Sequence, residues 1–395
     1  MQLTKTQKIN RSKILDKIYA KGPISRIDIA TETGLTPATV TTLTGSFLEE
    51  GLIAEIGEDS EMVGSGRRKI LLDIQPNFSF FIGLELSEKF VTFCLMDNTG
   101  IIIEDKVIHI KTEERETLLS TDNIIKELKQ FKEEVNSYEI TAVGVALPGH
   151  YHTSDQVLLT NNPIWKSFDL KKLSDAVSVP MHFENNVKSM LYFERFFEKN
   201  FDDVSFVFFH VSRGIYSAHM YEGELYADKN NLVGEVGHTT IQVNGELCEC
   251  GNKGCLQTFA SENWMIRHGQ IIFDHVQSSY LRQLVTNRNQ ITMDTLRTAY
   301  KLGDVLITDI FENAIQAIST SIINLTMTND ARIIYVHGSI FSEETLVDQL
   351  NAHISQRKPL FENEPNPRIQ VIPYREINGA VGACSLCVAE TYTKF

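Results

Sequence analysis

His238 is followed, after nine intervening residues, by Cys248, Cys250 and Cys255, a C-x-C-x4-C run that places three thiols on one short stretch. One imidazole and three thiolates make a closed tetrahedral set for Zn2+, with no position left for water or substrate. That is the pattern of a structural metal rather than a catalytic one. Gly251 and Gly254 let the backbone bend sharply between the last two thiols. A chance grouping, or a disulfide among the cysteines, are the other readings of these residues; ligand type and count favour zinc. Cys384 and Cys387 lie in Gly-Ala-Cys-Ser-Leu-Cys-Val-Ala, a small-residue helical pattern, and read as core thiols rather than a redox pair.

A second stretch with chemical meaning lies near the N-terminus. Residues 11–72 read as three helices and a hairpin. Ile14, Leu15 and Ile18 recur at helical spacing until Gly22-Pro23. Ser25-x-x-Asp28 resembles a capping box for a short helix over 27–32, and Gly34 makes a turn. Thr36 is a suitable N-cap with Pro37 at the first helical position. The third helix is expected to bury Val40, Leu43 and Phe47. Its other face carries Ala38, Thr39, Thr41, Thr42 and Ser46, side chains small enough for close approach in a major groove. Strand 51–56, a polar tip over 57–66 and a return strand from Arg67 complete a winged helix-turn-helix pattern. Candidate DNA contacts are Thr36, Ala38, Thr39 and Thr42 on the helix, with Arg67 and Arg68 at the wing for a narrow minor groove. A small helical domain that binds protein, with a solvated hairpin tip, is the competing reading.

The charge balance is compatible with double-stranded DNA as partner. The chain has 395 residues and a net charge of −14, which by itself disfavours nucleic acid. Residues 1–76, however, carry ten basic and ten acidic side chains, and the first 26 carry seven basic against one acidic. The acidity therefore belongs to the remainder. No run of about 18 apolar residues suggests a membrane span. The N-terminus has no signal-peptide character, and the thiol pattern suits a reducing cytoplasm.

From residue 78 the pattern becomes β-rich. Consecutive strands are expected at 80–86, 90–97 and 100–103, a charged helix at 121–135 and a buried strand at 141–146. Strands at 332–336 and 369–372 continue an α/β alternation that suits two lobes with a cleft. No sequence repeat is visible.

Gly234-Glu235-Val236-Gly237-His238 followed by Cys248-x-Cys250-Gly251-x-x-Gly254-Cys255-Leu256 resembles the signature of the ROK family (repressors, open reading frames, kinases). Residues 24–73 resemble the reading domain of its repressors and also the wider winged-helix group. The resemblance implies an α/β fold: an N-terminal winged helix-turn-helix, residues 1–76, then a two-lobed actin-like, sugar-kinase-like body. The first lobe would span 77–183, completed by a C-terminal helix over 376–395, and the second 184–375. It also implies that His238 both binds zinc and touches a sugar, with Glu235 and Gln257 as further sugar contacts. Glu is usual at the last position, so Gln257 is a departure. Gly149 in a Pro-Gly turn, Asn162 in an N-x-x-W segment, Asn185 and Asn186 complete the implied sugar wall; each Asn taken alone also reads as a turn residue. Trp165 reads as core.

The kinase parts that the resemblance implies are degraded. The first phosphate turn, D-x-G-G-T in the family, is Glu85-Leu86-Ser87-Glu88-Lys89, where Glu88 is expected to set a carboxylate near the phosphates. The second is Ser212-Arg213-Gly214-Ile215-Tyr216-Ser217-Ala218, and a third glycine-rich turn is His337-Gly338-Ser339. Asn186 stands at the catalytic base, and an amide has no useful basicity near neutral pH. The expected protein is no enzyme but a sugar-responsive repressor of carbohydrate genes, a homodimer or dimer of dimers, released from DNA by a sugar or sugar phosphate bound between the lobes. A residual sugar kinase with a DNA-binding domain, or a regulator controlled by a protein partner, share the same motifs.

Overall fold

The structure is a computed structural model that describes residues 4–58, 69–198, 205–226, 230–358 and 366–394. The chain divides into two compact units, Met1–Phe201 with Glu376–Phe395, and Asp202–Arg375. Among the described residues no helix is long and apolar enough to cross a membrane.

The first unit begins with the reader. Helix α1, Lys5–Lys21, opens on a Thr4–Gln7 capping box. Strand β1, Ile24–Ser25, leads into α2, Arg26–Thr33, whose N-cap Ser25 accepts from the Asp28 N–H. Helix α3, Pro37–Glu50, starts at the expected Thr36 cap. Strands β2, Ile53–Glu58, and β3, Ile70–Ile74, form a sheet in the order β1-β3-β2. The buried positions of α3 are Val40, Thr44 and Phe47. Leu43 is half-buried rather than core, because Thr44 turns inward; its hydroxyl donates to the Val40 carbonyl at 2.8 Å and accepts from Arg26 Nε at 3.1 Å. Arg67 and Arg68 lie outside the described residues.

The body of this unit is a sheet of β4 (Phe80–Leu86), β5 (Phe90–Asp97), β6 (Ile102–His109), β7 (Ile140–Leu147) and β10 (Met181–Asn185), in the order β10-β7-β4-β5-β6. A short hairpin, β8 (His150–His152) with β9 (Val157–Leu159), follows β7. Helix α4, Thr121–Glu134, buries Ile124, Leu128 and Phe131 at i, i+4 and i+7. Helix α5, Asn186–Phe197, runs on directly from β10.

The second unit repeats the strand plan. Strands β11 (Phe206–Val211), β12 (Ile215–Tyr221), β13 (Glu224–Leu225), β14 (Ile333–His337) and β15 (Arg368–Ile372) take the order β13-β12-β11-β14-β15. In both sheets an antiparallel meander adjoins two parallel strands. The repeat that the sequence does not display is therefore present in the topology. Helices α6 (Glu262–His275), α7 (Val305–Leu325) and α8 (Glu344–Ser355) supply core to one face of this sheet.

The boundary expected at 183/184 moves to 201/202. β10 pairs in parallel with β7, and α5 continues from it, so both belong to the first sheet rather than to the second lobe. Nor is the reader a separate body. One apolar core runs from Ile14, Ile18 and Tyr19 of α1 through Phe196 to Tyr392. Tyr19 lies 5.6 Å from Phe196 and 6.0 Å from Tyr392 between ring centroids. Arg195 pairs with Asp16 at 2.5 Å, and the Ser12 hydroxyl donates to the Thr393 carbonyl.

The C-terminal helix α9, Asn378–Val388, lies on the first sheet, with Cys384 and Cys387 fully buried. Its approach is possible because Gly83 of β4 faces Gly144 of β7. A Cβ at Gly83 would overlap the Ala380 carbonyl, and one at Gly144 the Ala383 carbonyl. Since backbone rather than a flexible side chain is in the way, Gly144→Ala is expected to cost about 1–3 kcal/mol. A lower urea midpoint at unchanged slope would report it.

Candidate functional site

His238 closes the 3-10 turn Val236–His238, and the cysteines follow on a loop that folds back on itself. The Cys248 N–H donates to the Asn252 carbonyl at 2.8 Å, and the Gly251 N–H to the Cys248 carbonyl at 2.9 Å. Gly251 and Gly254 sit at φ 88° and 71°, where a side chain would be strained. The turn brings all four ligand atoms within 4.8 Å of one another. Cys250 Sγ and Cys255 Sγ are 3.7 Å apart, and Cys248 Sγ lies 3.6 Å from His238 Nδ1. Bonds of about 2.3 Å to sulfur and about 2.0 Å to nitrogen give tetrahedral edges of about 3.5–3.8 Å, so these residues fit a metal ion. The thiols are not joined as a disulfide.

Burial raises the Cys248 thiol, and raises Cys255 to about 12. At Cys250 burial acts in the same direction, but hydrogen bonds from Asn252 and the neighbouring thiols overcome it and hold the group at about 7. On the other side of the imidazole, His238 Nε2 lies 3.9 Å from Glu235 Oε2, within ion-pair range but beyond a hydrogen bond. Gln257 is buried beside the cluster; its Nε2 donates to Cys248 Sγ at 3.3 Å and to Glu249 Oε1 at 3.1 Å. Glu235, His238 and Gln257 thus share one neighbourhood in the second unit.

The remaining expected sugar contacts are in the first unit, where each amide already has local work. Asn185 caps α5, accepting from Val187 N–H at 2.9 Å and Lys188 N–H at 3.3 Å, while its Nδ2 donates to the Gly149 carbonyl at 3.1 Å. Asn162 caps the turn Pro163–Trp165 and donates to Glu88. Trp165 is core, as read from the sequence. Asn186 Nδ2 lies 3.4 Å from Glu85 Oε1. Glu88, expected to face a phosphate, is buried and pairs with Arg115 at 3.3 Å.

Carboxyl groups also lie at or beside the turns that the resemblance matched to phosphate turns. Glu262 is buried at the start of α6 and accepts from Ser212 Oγ at 3.3 Å and Ser339 Oγ at 2.6 Å, bridging two turns of the second unit. The Tyr216 hydroxyl donates to the Val233 carbonyl at 2.9 Å, and its ring fills the space beside Gly234. In the first unit Glu85 lies against Gly379, where a Cβ would collide with its carboxylate.

On the reader, Thr36, Ala38, Thr41 and Thr42 are exposed and Thr39 is half-buried. The hydroxyls of Thr41 and Thr42 donate back to the Pro37 and Ala38 carbonyls, leaving lone pairs and methyls outward. Arg11, Lys21 and Arg26 pair with Glu50, Glu32 and Glu55, so part of the positive charge noted near the N-terminus is neutralised within the domain.

A model of the ROK family matches residues 81–390. The chain belongs to the ROK family. A winged helix-turn-helix DNA-binding model matches residues 8–54 ahead of this ROK body. The chain is 25% identical to the xylose repressor of Bacillus subtilis (strain 168), over 90% of its own length and 88% of the relative's. It is 26% identical to the DNA-binding transcriptional dual regulator NagC of Escherichia coli (strain K12), over 96% and 92%. In fold it is similar to the crystal structure of a ROK family transcriptional regulator described as a homolog of the E. coli MLC protein. That match has a TM-score of 0.77 at 21% identity and covers 98% of this chain and 97% of the other. A ROK family glucokinase from Streptomyces griseus, in complex with glucose and AMPPNP, aligns at a TM-score of 0.67 and 19% identity, covering 78% and 99%. The ROK body therefore serves in both a regulator and a kinase.

Sequence reasoning missed Glu262, which carries only the signal of a helix following an N-cap serine, and the contact of Gln257 with a thiol. It also missed the Glu85–Asn186 pair. Burial raises Glu85 to about 7 against the hydrogen bonds from Asn186 and the Gly379 N–H and the nearby charge of Lys89. A carboxyl whose folded pKa is raised contributes stability below its unfolded value of 4.5, and that contribution is lost as pH climbs through about 7. Glu85→Gln is therefore expected to raise Tm relative to the parent at pH 8, with the difference vanishing near pH 4.5.

Proposed function

We propose that this ROK-family protein is a cytoplasmic, sugar-responsive transcriptional repressor of carbohydrate uptake or use genes, and not a kinase. The observation that carries this reading is a winged helix-turn-helix joined by continuous core to a ROK body, over nearly the length of relatives named as repressors or regulators. Against phosphoryl transfer stand the amide at Asn186, which can take no proton, and Glu262, whose negative charge lies between the turns that would have to hold phosphates.

In this reading α3 enters the major groove with Thr36, Ala38, Thr39 and Thr42 towards bases and phosphates, and Arg67 and Arg68 serve the minor groove. A homodimer would present two readers to a palindromic site. The metal is zinc, held by His238, Cys248, Cys250 and Cys255, and it supplies a rigid anchor for the imidazole rather than reactivity. The sugar contacts carried over from the family resemblance are Asn186, with Asn162, Asn185 and Gly149, in the first unit, and Glu235 and His238 in the second. Induction follows if the sugar prefers the conformation in which two readers no longer fit the operator; its effect is limited to that difference in affinity.

Two measurements check the proposal. Purified protein is expected to capture a few palindromic genomic fragments beside carbohydrate genes, and one member of a panel of sugars and sugar phosphates to release them. Specific capture without release by any sugar would point to a protein partner as the signal, and no specific capture would sink the repressor reading. Cys250→Ser is expected to lose the bound zinc of about one ion per chain found in the parent, and to unfold at lower temperature. Equal metal content in the two proteins would reject the assignment.

A further inference from the structure

Gln257 is placed for a task other than reading a sugar. Its side chain is buried, and a single nitrogen, Nε2, approaches both Cys248 Sγ, at 3.3 Å, and the Glu249 carboxylate oxygen Oε1, at 3.1 Å. An amide nitrogen carries two hydrogens, so both contacts are served at once. The oxygen end turns instead towards Gly237, one residue before the His238 ligand. Three thiolates and a neutral imidazole around a divalent cation leave one net negative charge, and N–H donors to sulfur disperse it. At Cys250 the corresponding side-chain contact is from the exposed Asn252, with Nδ2 at 3.5 Å. Gln257 is thus the buried side-chain donor of the knuckle among the described residues.

We propose that Gln257 is a positioning residue for the metal: it holds the Cys248 thiolate in its ligating direction and draws charge from the sulfur, and it is not a sugar contact. A glutamate, usual here in the family, could not make this donation when ionised. This inference rests on the metal reading above.

The test uses full-length protein loaded with Co2+, whose thiolate-to-cobalt charge-transfer band reports charge on the sulfurs, and with Zn2+, whose release to a chromophoric chelator reports retention. Gln257→Met keeps the shape without the donor; Gln257→Glu keeps the polarity but cannot donate when ionised, and guards against a folding failure of the first. Both are expected to shift the charge-transfer band to longer wavelength and to weaken metal retention by about 10–100-fold. An unchanged band and release rate in both variants, with cobalt still bound tetrahedrally, would overturn the role of Gln257 while leaving the metal site intact. Failure of the parent protein to bind cobalt or zinc would overturn the metal reading, and this inference with it. A merely structural glutamine would alter Tm without moving the band.

Discussion

The contact on which the first unit depends is backbone against backbone. Helix α9 lies so close to the sheet that Gly83 and Gly144, side by side on β4 and β7, leave no room for a Cβ. The chain reaches this helix only after building the whole of the second unit, so the cover of the first sheet comes last in sequence. Small residues on both partners make the approach possible, and the buried thiols of Cys384 and Cys387 fill the gap that remains. In the first turn of the helix, Gly379 leaves room for the Glu85 carboxylate, so the same close packing determines what lies beside it.

That C-terminal segment also supports the reader. Tyr392 stacks near Tyr19, and α5 meets α1 through Phe196 and through the Arg195–Asp16 pair. Helix α5 begins at Asn186, the amide proposed to face a sugar, and ends against the reading domain. A rigid element therefore joins the two without a flexible linker. A linker would absorb a displacement at one end; a packed helix has to move with its neighbours.

The two sheets share one strand order, and each bears a hairpin at the place where the kinase resemblance puts a phosphate turn. A fold can keep this scaffold while its chemistry changes, because phosphate binding resides in a few turn residues. At positions that the resemblance gives to glycine, side chains find partners within the protein, Tyr216 a carbonyl and Glu88 Arg115; Glu262, at the start of α6, takes two serines of such turns. The turn that gathers His238 and the three cysteines keeps the opposite character. Its geometry is local, and its glycines remain where positive φ requires them.

How much could be read without coordinates follows from the range of each interaction. The helix caps at Ser25 and Thr36, the apolar periodicity of α4 and the ligand set His238, Cys248, Cys250 and Cys255 depend on residues near one another in sequence, and were legible there. Leu43 and Thr44 were not, since the choice between them lies with Arg26, on another helix. The lobe boundary failed for a similar reason: β10 belongs to the sheet it pairs with, and pairing is non-local. Partners of polar groups were least legible. Asn162, Asn186 and Gln257 looked available for hydroxyls, and only the folded chain decided that Glu88, Glu85 and Cys248 stand beside them. By itself the sequence determined most of the elements, the grouping of His238 with Cys248, Cys250 and Cys255, and the family. The tertiary structure decided where each buried polar group spends its hydrogen bonds, because burial forces such groups to find partners that chain order does not reveal.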